Sequence, residues 1–142
     1  MAKSAAEQLN ADKQPKIVVL DANFAGIKQG QKLFVATPQI IDQYIRKIPF
    51  GKTRTITRLR REIARRRKCD ATCPVSTAIF IRICAQAAID EFENGAAITD
   101  ITPFWRLLTS EDKIAKKLTI DGNWIDMQRE LEKNDTEPRE SG

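Results

Sequence analysis

The chain of 142 residues contains no histidine. This absence removes the serine–histidine and cysteine–histidine nucleophile pairs, the imidazole general base and the commonest protein ligand of transition metals. An enzyme built on this sequence would have to work with carboxylates, lysines or thiolates alone.

Long apolar runs are missing as well. No uninterrupted apolar stretch approaches the roughly 20 residues that span a bilayer, and the N-terminus leads into polar sequence and not into the apolar core of a signal peptide. The length and the hydrophobic content of 42% suit one domain with one core. We therefore expect a cytoplasmic, monomeric protein with no membrane partner.

Cysteine is scarce, and the three present (Cys69, Cys73 and Cys84) cannot all pair with one another. A reducing compartment would keep them as thiols. Cys69 and Cys73 follow a C-x-x-x-C spacing, but no fourth zinc ligand is visible, so we expect neither a metal nor another cofactor. Cys73 precedes a predicted helix, where thiol pKa values fall, and it is the one candidate nucleophile. Cys84 is expected in the core.

Positive charge is abundant and unevenly distributed. Between Arg46 and Lys68 lie eleven basic residues against one acid, Glu62, which gives a local charge of +10, while the rest of the chain carries −5. Such segregation indicates a binding surface for a polyanion such as nucleic acid. A solvated helix face is the alternative interpretation of a charge run.

Residue patterns predict two short strands and then a series of helices. Residues 16–20 and 32–36 have the branched and aromatic content of strands and are expected to form a leading hairpin. Thr37 followed by Pro38 predicts a helix start, and Thr55 can cap a second helix with a narrow apolar stripe.

A third helix is predicted at residues 75–93, ended by Asn94-Gly95. Residues 98–108 and 114–120 are expected to be an edge strand and a returning strand that form a wing-like hairpin. Asp121 precedes a last helix.

The expected organisation is a flexible segment at 1–15, one folded domain at 16–133 and a disordered tail at 134–142. The expected fold class is α+β, a winged helix-turn-helix with a small leading strand pair and a C-terminal helix.

Two short runs carry a resemblance to a known family. The run Ile48–Lys52 (IPFGK) opens the basic stretch, and the run Pro103–Arg106 (PFWR) follows some fifty residues later. Together they resemble the DNA-binding domain of the alkylguanine-DNA alkyltransferases, and the likeness extends from about Thr37 to Leu131. In that family a Pro-x-Gly-Lys turn leads into a winged helix-turn-helix.

The family's Pro-Cys-His-Arg run carries the cysteine that accepts the alkyl group, and here Phe104 and Trp105 replace the cysteine and the histidine. The resemblance therefore implies a non-enzymatic, alkyltransferase-like protein that binds alkylated double-stranded DNA and flags it for other repair proteins. Ile56, Thr77 and Ala96 stand near positions where the family has its tyrosine, arginine and asparagine for nucleotide flipping. The groups with which the family flips nucleotides are therefore not matched here, and whether flipping occurs stays open.

The candidate site residues fall into two groups. The expected lesion pocket is an apolar stacking wall, with core packing as the alternative, and consists of Phe104, Trp105 and Arg106. The expected DNA-binding residues contact mainly phosphates and are Lys52, Arg54, Arg58, Arg61, Ser76, Thr77 and Arg82.

Three alternative functions stay open at this point. The chain could be a regulatory or architectural DNA binder without lesion preference. It could be a residual alkyl acceptor that uses Cys73. It could also be an interaction domain whose basic face meets an acidic protein.

Overall fold

The fold is a three-stranded sheet at one side of a group of helices, in a computed structural model that describes residues 3–135. Helices account for far more of the chain than strands do, and the strands are short. In chain order the elements are α1 (Ala5–Leu9), β1 (Lys16–Val19), β2 (Lys32–Val35), α2 (Pro38–Arg46), α3 (Ile56–Arg66), β3 (Ala71–Thr72), α4 (Pro74–Glu93) and α5 (Gly122–Asn134).

The predicted leading hairpin is confirmed. Strands β1 and β2 pair antiparallel with Ile17 opposite Phe34. A third strand that the sequence did not indicate, β3, joins β2 in parallel. Asp70 fixes this pairing, because its carboxylate accepts the Lys32 N–H at 2.7 Å and its own N–H donates to the Lys32 carbonyl at 3.0 Å.

Local capping signals correctly predicted the starts of three helices. The hydroxyl of Thr37 accepts the Ile40 N–H before α2, and that of Thr55 accepts the Arg58 N–H before α3. Asp121 caps α5 through its carboxylate. A capped start satisfies backbone N–H groups that have no partner inside the helix.

Helix α4 is the centre of the molecule. It is apolar on nearly every side, and its buried residues include Phe80, Ile81 and Ile89. Helices α1 and α2 both pack against it. A helix that is hydrophobic on all sides is stable only when other elements enclose it. Only a small part of the α4 surface is therefore exposed to a binding partner.

The N-terminal segment differs from the expectation of a flexible arm at 1–15. Ser4 and Glu7 form a reciprocal capping box that starts α1, and α1 packs on α4. Farther along, the Lys13 ammonium lies 5.6 Å from the centre of the Phe80 ring. The disordered tail predicted at 134–142 lies almost wholly outside the described residues.

The predicted wing is wrong. Residues 98–108 and 114–120 form no strands; short 3₁₀ turns occupy Ile98–Asp100, Phe104–Arg106 and Ala115–Lys117. A half-exposed strand alternates buried and exposed residues, whereas residues 101–105 are all buried. The segment therefore fills space in the core, and the α+β class stands without the wing in the part of the chain that the structure describes.

Candidate nucleic-acid interface

Helix α3 presents its cations to solvent because its apolar residues anchor the opposite side. Leu59, Ile63 and Ala64 are buried in the core. Most of the other exposed or half-exposed side chains of the helix and of residues 52–55 are cationic; the exceptions are Thr53, Thr55, Ile56, Thr57 and Glu62. We call the following exposed or half-exposed residues the basic surface: Lys52, Arg54, Arg58, Arg60, Arg61, Arg65 and Arg66.

A cleft of about 410 Å³ lies between α3 and β3, and Arg60, Arg61 and Arg65 line it. Their guanidinium groups form no salt bridge within residues 3–135. The one acid in the lining, Asp70, already accepts the Lys32 N–H. Three uncommitted guanidinium groups around one cleft favour a ligand with several negative charges.

The opposite side of α3 is ordered by an internal network. Arg58 pairs with Glu62 at 2.8 Å, and the Tyr44 hydroxyl donates to the other Glu62 oxygen at 2.5 Å. Burial raises the pKa of Tyr44 to about 12, and its hydrogen bond to Glu62 acts in the same direction. The hydrogen bonds from Tyr44 and Arg58 lower the pKa of Glu62. The one acid of the basic segment therefore positions Arg58 and neutralises part of its charge.

The start of α4 does not present the residues that the sequence predicted. Thr77 is fully buried, and the hydroxyl oxygens of Thr77 and Ser76 are both buried without a hydrogen-bond partner in the described structure. Their assignment to DNA contact is wrong for this conformation, because α4 packs this side inward. Arg82 is exposed, and the residues exposed nearer the helix start are the apolar Val75 and Ile79.

The expected lesion pocket is part of the core. Phe104 is 0% exposed and Trp105 is 2% exposed. Phe104 packs edge-on against Trp105 at 5.4 Å between ring centroids and stacks on Trp124 at 5.8 Å. Because these faces are covered by protein, they offer no wall on which a base could stack. The alternative of core packing describes both residues.

Arg106 is also bound within the protein, to the carboxylate of Glu132, which no sequence pattern had indicated. Its Nε and Nη2 donate to the two oxygens of Glu132 at 2.9 Å each, and its Nη1 donates to the Ile48 carbonyl at 2.8 Å. Glu132 also accepts from the Trp105 indole N–H at 2.7 Å and from the Gly51 N–H at 3.1 Å. We call Arg106, Glu132 and these partners the Glu132 hub.

Four hydrogen bonds satisfy the buried carboxylate of the hub. Burial alone would raise the pKa of Glu132, but the hydrogen bonds from Arg106, Trp105 and Gly51 outweigh it and lower the pKa below its ordinary value. Glu132 is therefore ionised near neutral pH. It ties α5 to the turn that precedes α3.

The cysteines have three different environments. Cys84 is fully buried, donates to the Pro38 carbonyl at 3.2 Å and has its pKa raised chiefly by burial, as expected of a core thiol. Cys73 is 7% exposed and packs with Ile27 and Leu33. The thiol most accessible to the basic surface is Cys69, which lines the cleft between α3 and β3.

Comparison of the chain with protein-family models, with curated proteins and with solved structures found no match. Within residues 3–135, no helix combines the length and the apolar character that crossing a membrane requires. In the same range, no cluster of three or more acidic or thiol side chains is arranged to hold a metal ion.

Proposed function

We propose that the protein is a non-enzymatic double-stranded DNA-binding protein that contacts the phosphate backbone through the basic surface of α3. The observation that carries this proposal is the cleft beside β3, which Arg60, Arg61 and Arg65 line together and where none of the three forms a salt bridge within residues 3–135. Clustering cations in this way costs stability through mutual repulsion, and a polyanion relieves that cost. Phosphate contacts supply most of the affinity in such complexes.

Binding through this surface should depend little on base sequence. The segment between α3 and α4, residues 67–73, is longer than the turn of three or four residues in a typical helix-turn-helix. The exposed side chains at the start of α4, Val75 and Ile79, have no hydrogen-bonding groups for base edges. These features favour an architectural mode of binding.

Recognition of alkylated guanine is the second candidate, and one contact supports it. The two runs that carry the resemblance to the alkyltransferases lie against each other, because Arg106 donates to the Ile48 carbonyl at 2.8 Å. The burial of Phe104 and Trp105 removes the stacking wall on which a lesion preference was expected to depend.

A titration of duplex DNA at several salt concentrations tests the main proposal. If about four to six phosphates are neutralised, log K falls with log salt at a slope of about −4 to −5. The variant Arg61→Gln/Arg65→Gln should weaken binding to all duplex sequences alike, because phosphate contacts carry no base information. Lys116→Gln/Lys117→Gln removes the same charge from exposed positions outside the cleft and is the matched control.

Two outcomes of this titration would contradict the proposal. One is an affinity that does not change with salt. The other is equal weakening by the cleft variant and by the control, which would show a general charge effect. Repeating the titration with a duplex that contains one alkylguanine separates the two candidates, since comparable affinities favour the architectural one.

A further inference from the structure

Two adjoining clefts connect the start of α3 with α5. One, of about 440 Å³, lies between residues 51–53 and α5. The other, of about 430 Å³, follows the first turn of α3. Thr53 and Arg129 line both clefts, so the two clefts adjoin at these residues, and we call them together the α5 groove. Its cationic lining residues are Lys52, Arg54, Arg58, Arg106, Arg129 and Lys133, and its acidic ones are Asp112, Glu130 and Glu132.

The acids of the α5 groove are mostly engaged within the protein. Glu132 is neutralised by Arg106. An Asp112 oxygen accepts the Thr109 N–H at 2.8 Å. Glu130 is exposed and accepts from the Asn134 side chain at 3.2 Å. Hydrogen bonds from neutral donors leave the charges of Asp112 and Glu130 in place. Once the paired residues Arg58, Arg106 and Glu132 are set aside, the groove still has four cations against these two acids, which is a positive excess.

Arg129 is held in place at the junction of the two clefts. Its Nη1 donates to the backbone carbonyls of Trp105 at 3.0 Å and Leu108 at 3.1 Å. A guanidinium group has five N–H donors, and those on the other nitrogens of Arg129 find no acceptor within residues 3–135. Because two carbonyls already fix the side chain, little conformational freedom remains to be lost when an anion binds.

We propose that the α5 groove holds a stretch of the sugar–phosphate backbone of duplex DNA, with Arg129 and Lys133 as phosphate-binding residues beside Lys52. The proposal rests on the proposed function and extends the interface from α3 to the C-terminal helix. A chain of phosphates suits this groove because its cations are spread along two adjoining clefts and not gathered around one point.

Lysine acetylation footprinting of the parent protein tests the location directly. The protein is acetylated briefly with and without an undamaged duplex of about 20 base pairs at low salt, and modification at each lysine is measured by mass spectrometry. Lys133 and Lys52 should be protected severalfold by the duplex, while Lys116 and Lys117, which line neither cleft, should react equally in both samples.

Matched variants test the energetic contribution. Lys52→Gln/Lys133→Gln should reduce the magnitude of the salt slope by about 1–2, since each phosphate contact contributes about 0.9. Lys116→Gln/Lys117→Gln carries the same net charge change and should keep the parent slope.

The outcomes distinguish this inference from the proposed function. If the parent binds DNA but Lys133 is not protected, or if the two variants are indistinguishable, the α5 groove is not part of the interface. If polyglutamate displaces the duplex at equal charge concentration, the groove is a general anion site and the inference is wrong. If the parent binds no duplex at all, the proposed function itself fails.

Discussion

Replacing Glu132 by glutamine should destabilise the protein far more than the same replacement at an exposed glutamate. The side chain of Glu132 is 9% exposed and that of its partner Arg106 is 15% exposed. Glutamine has nearly the same shape, but it removes the charge that Arg106 needs. Its amide NH₂ would also point at an N–H donor, either that of Trp105 or that of Gly51.

The magnitude follows from the burial of the pair. Removing one partner of a buried ion pair costs roughly 3–5 kcal/mol. Because Arg106 keeps some contact with water and glutamine can still accept one hydrogen bond, we expect about 3 kcal/mol for Glu132→Gln. With a urea m-value of about 1–3 kcal/mol/M, the midpoint of unfolding should fall by roughly 1–3 M. Tryptophan fluorescence is a suitable probe, since Trp105 and Trp124 both lie in the aromatic cluster.

The lowered pKa of Glu132 also predicts how the loss of stability in Glu132→Gln changes with pH. The pKa of Glu132 is lowered by folding, so the unfolded chain binds this proton more readily than the folded one. Its contribution to stability is therefore present above the unfolded pKa of about 4.3 and is lost as pH falls through the lower folded value. The difference in stability between parent and Glu132→Gln should be largest at neutral pH and should shrink in acid.

A neighbouring glutamate provides the control. Glu130→Gln changes an exposed residue of the same helix and should shift stability by less than about 0.5 kcal/mol. Equal effects of the two substitutions, or a parent-to-Glu132→Gln difference that stays constant down to low pH, would refute the assignment of the Glu132 hub as a buried ionic contact.

Three further outcomes are expected. Phe104→Ala should cost roughly 3–5 kcal/mol in urea unfolding, because it empties a fully enclosed site; a stable variant that lost only a preference for alkylated DNA would place Phe104 in a binding pocket after all. Incubation with alkylated DNA should leave the intact protein mass unchanged, whereas a stoichiometric adduct that Cys73→Ser abolishes would reveal a reactive thiol. Tyr44 is the one tyrosine of the chain, so ultraviolet titration should show its ionisation near pH 12 in the folded protein and near 10 in urea; identical midpoints would argue against its buried bond to Glu62.

The elements that sequence could predict are those specified by local signals. Thr37, Thr55 and Asp121 cap helices in the structure where their positions indicated. The apolar stripe of α3 correctly separated buried from exposed positions, and the exposure of the arginines follows from it. The capping box of Ser4 and Glu7 was a local signal too, and it would have revealed α1.

The elements that sequence could not predict depend on distant partners. Strand β3 has two residues and exists because Asp70 bonds to Lys32, thirty-eight positions away. The 98–120 region was expected to be strands because it is rich in apolar residues, but burial on all sides produces no period of two. Thr77 was assigned to DNA because it was expected on the exposed edge of the third helix, whereas α4 is enclosed on most sides and Thr77 is fully buried.

In the fold, the run Pro103–Arg106 has a structural role and does not form the expected lesion pocket. Arg106 and the Trp105 indole both bind Glu132, and the Trp105 carbonyl holds Arg129. The same contacts fix the turn at Gly51 against α5, and that turn and α5 are the two walls of one cleft of the α5 groove. The burial of Phe104 and Trp105 thus closes the expected lesion pocket. The indole N–H and the carbonyl of Trp105 hold Glu132 and Arg129, and Arg129 is one of the cations of the α5 groove. The proposed contact with the phosphate backbone is therefore compatible with the loss of the stacking pocket, because backbone recognition needs ordered positive charge and does not need an exposed ring.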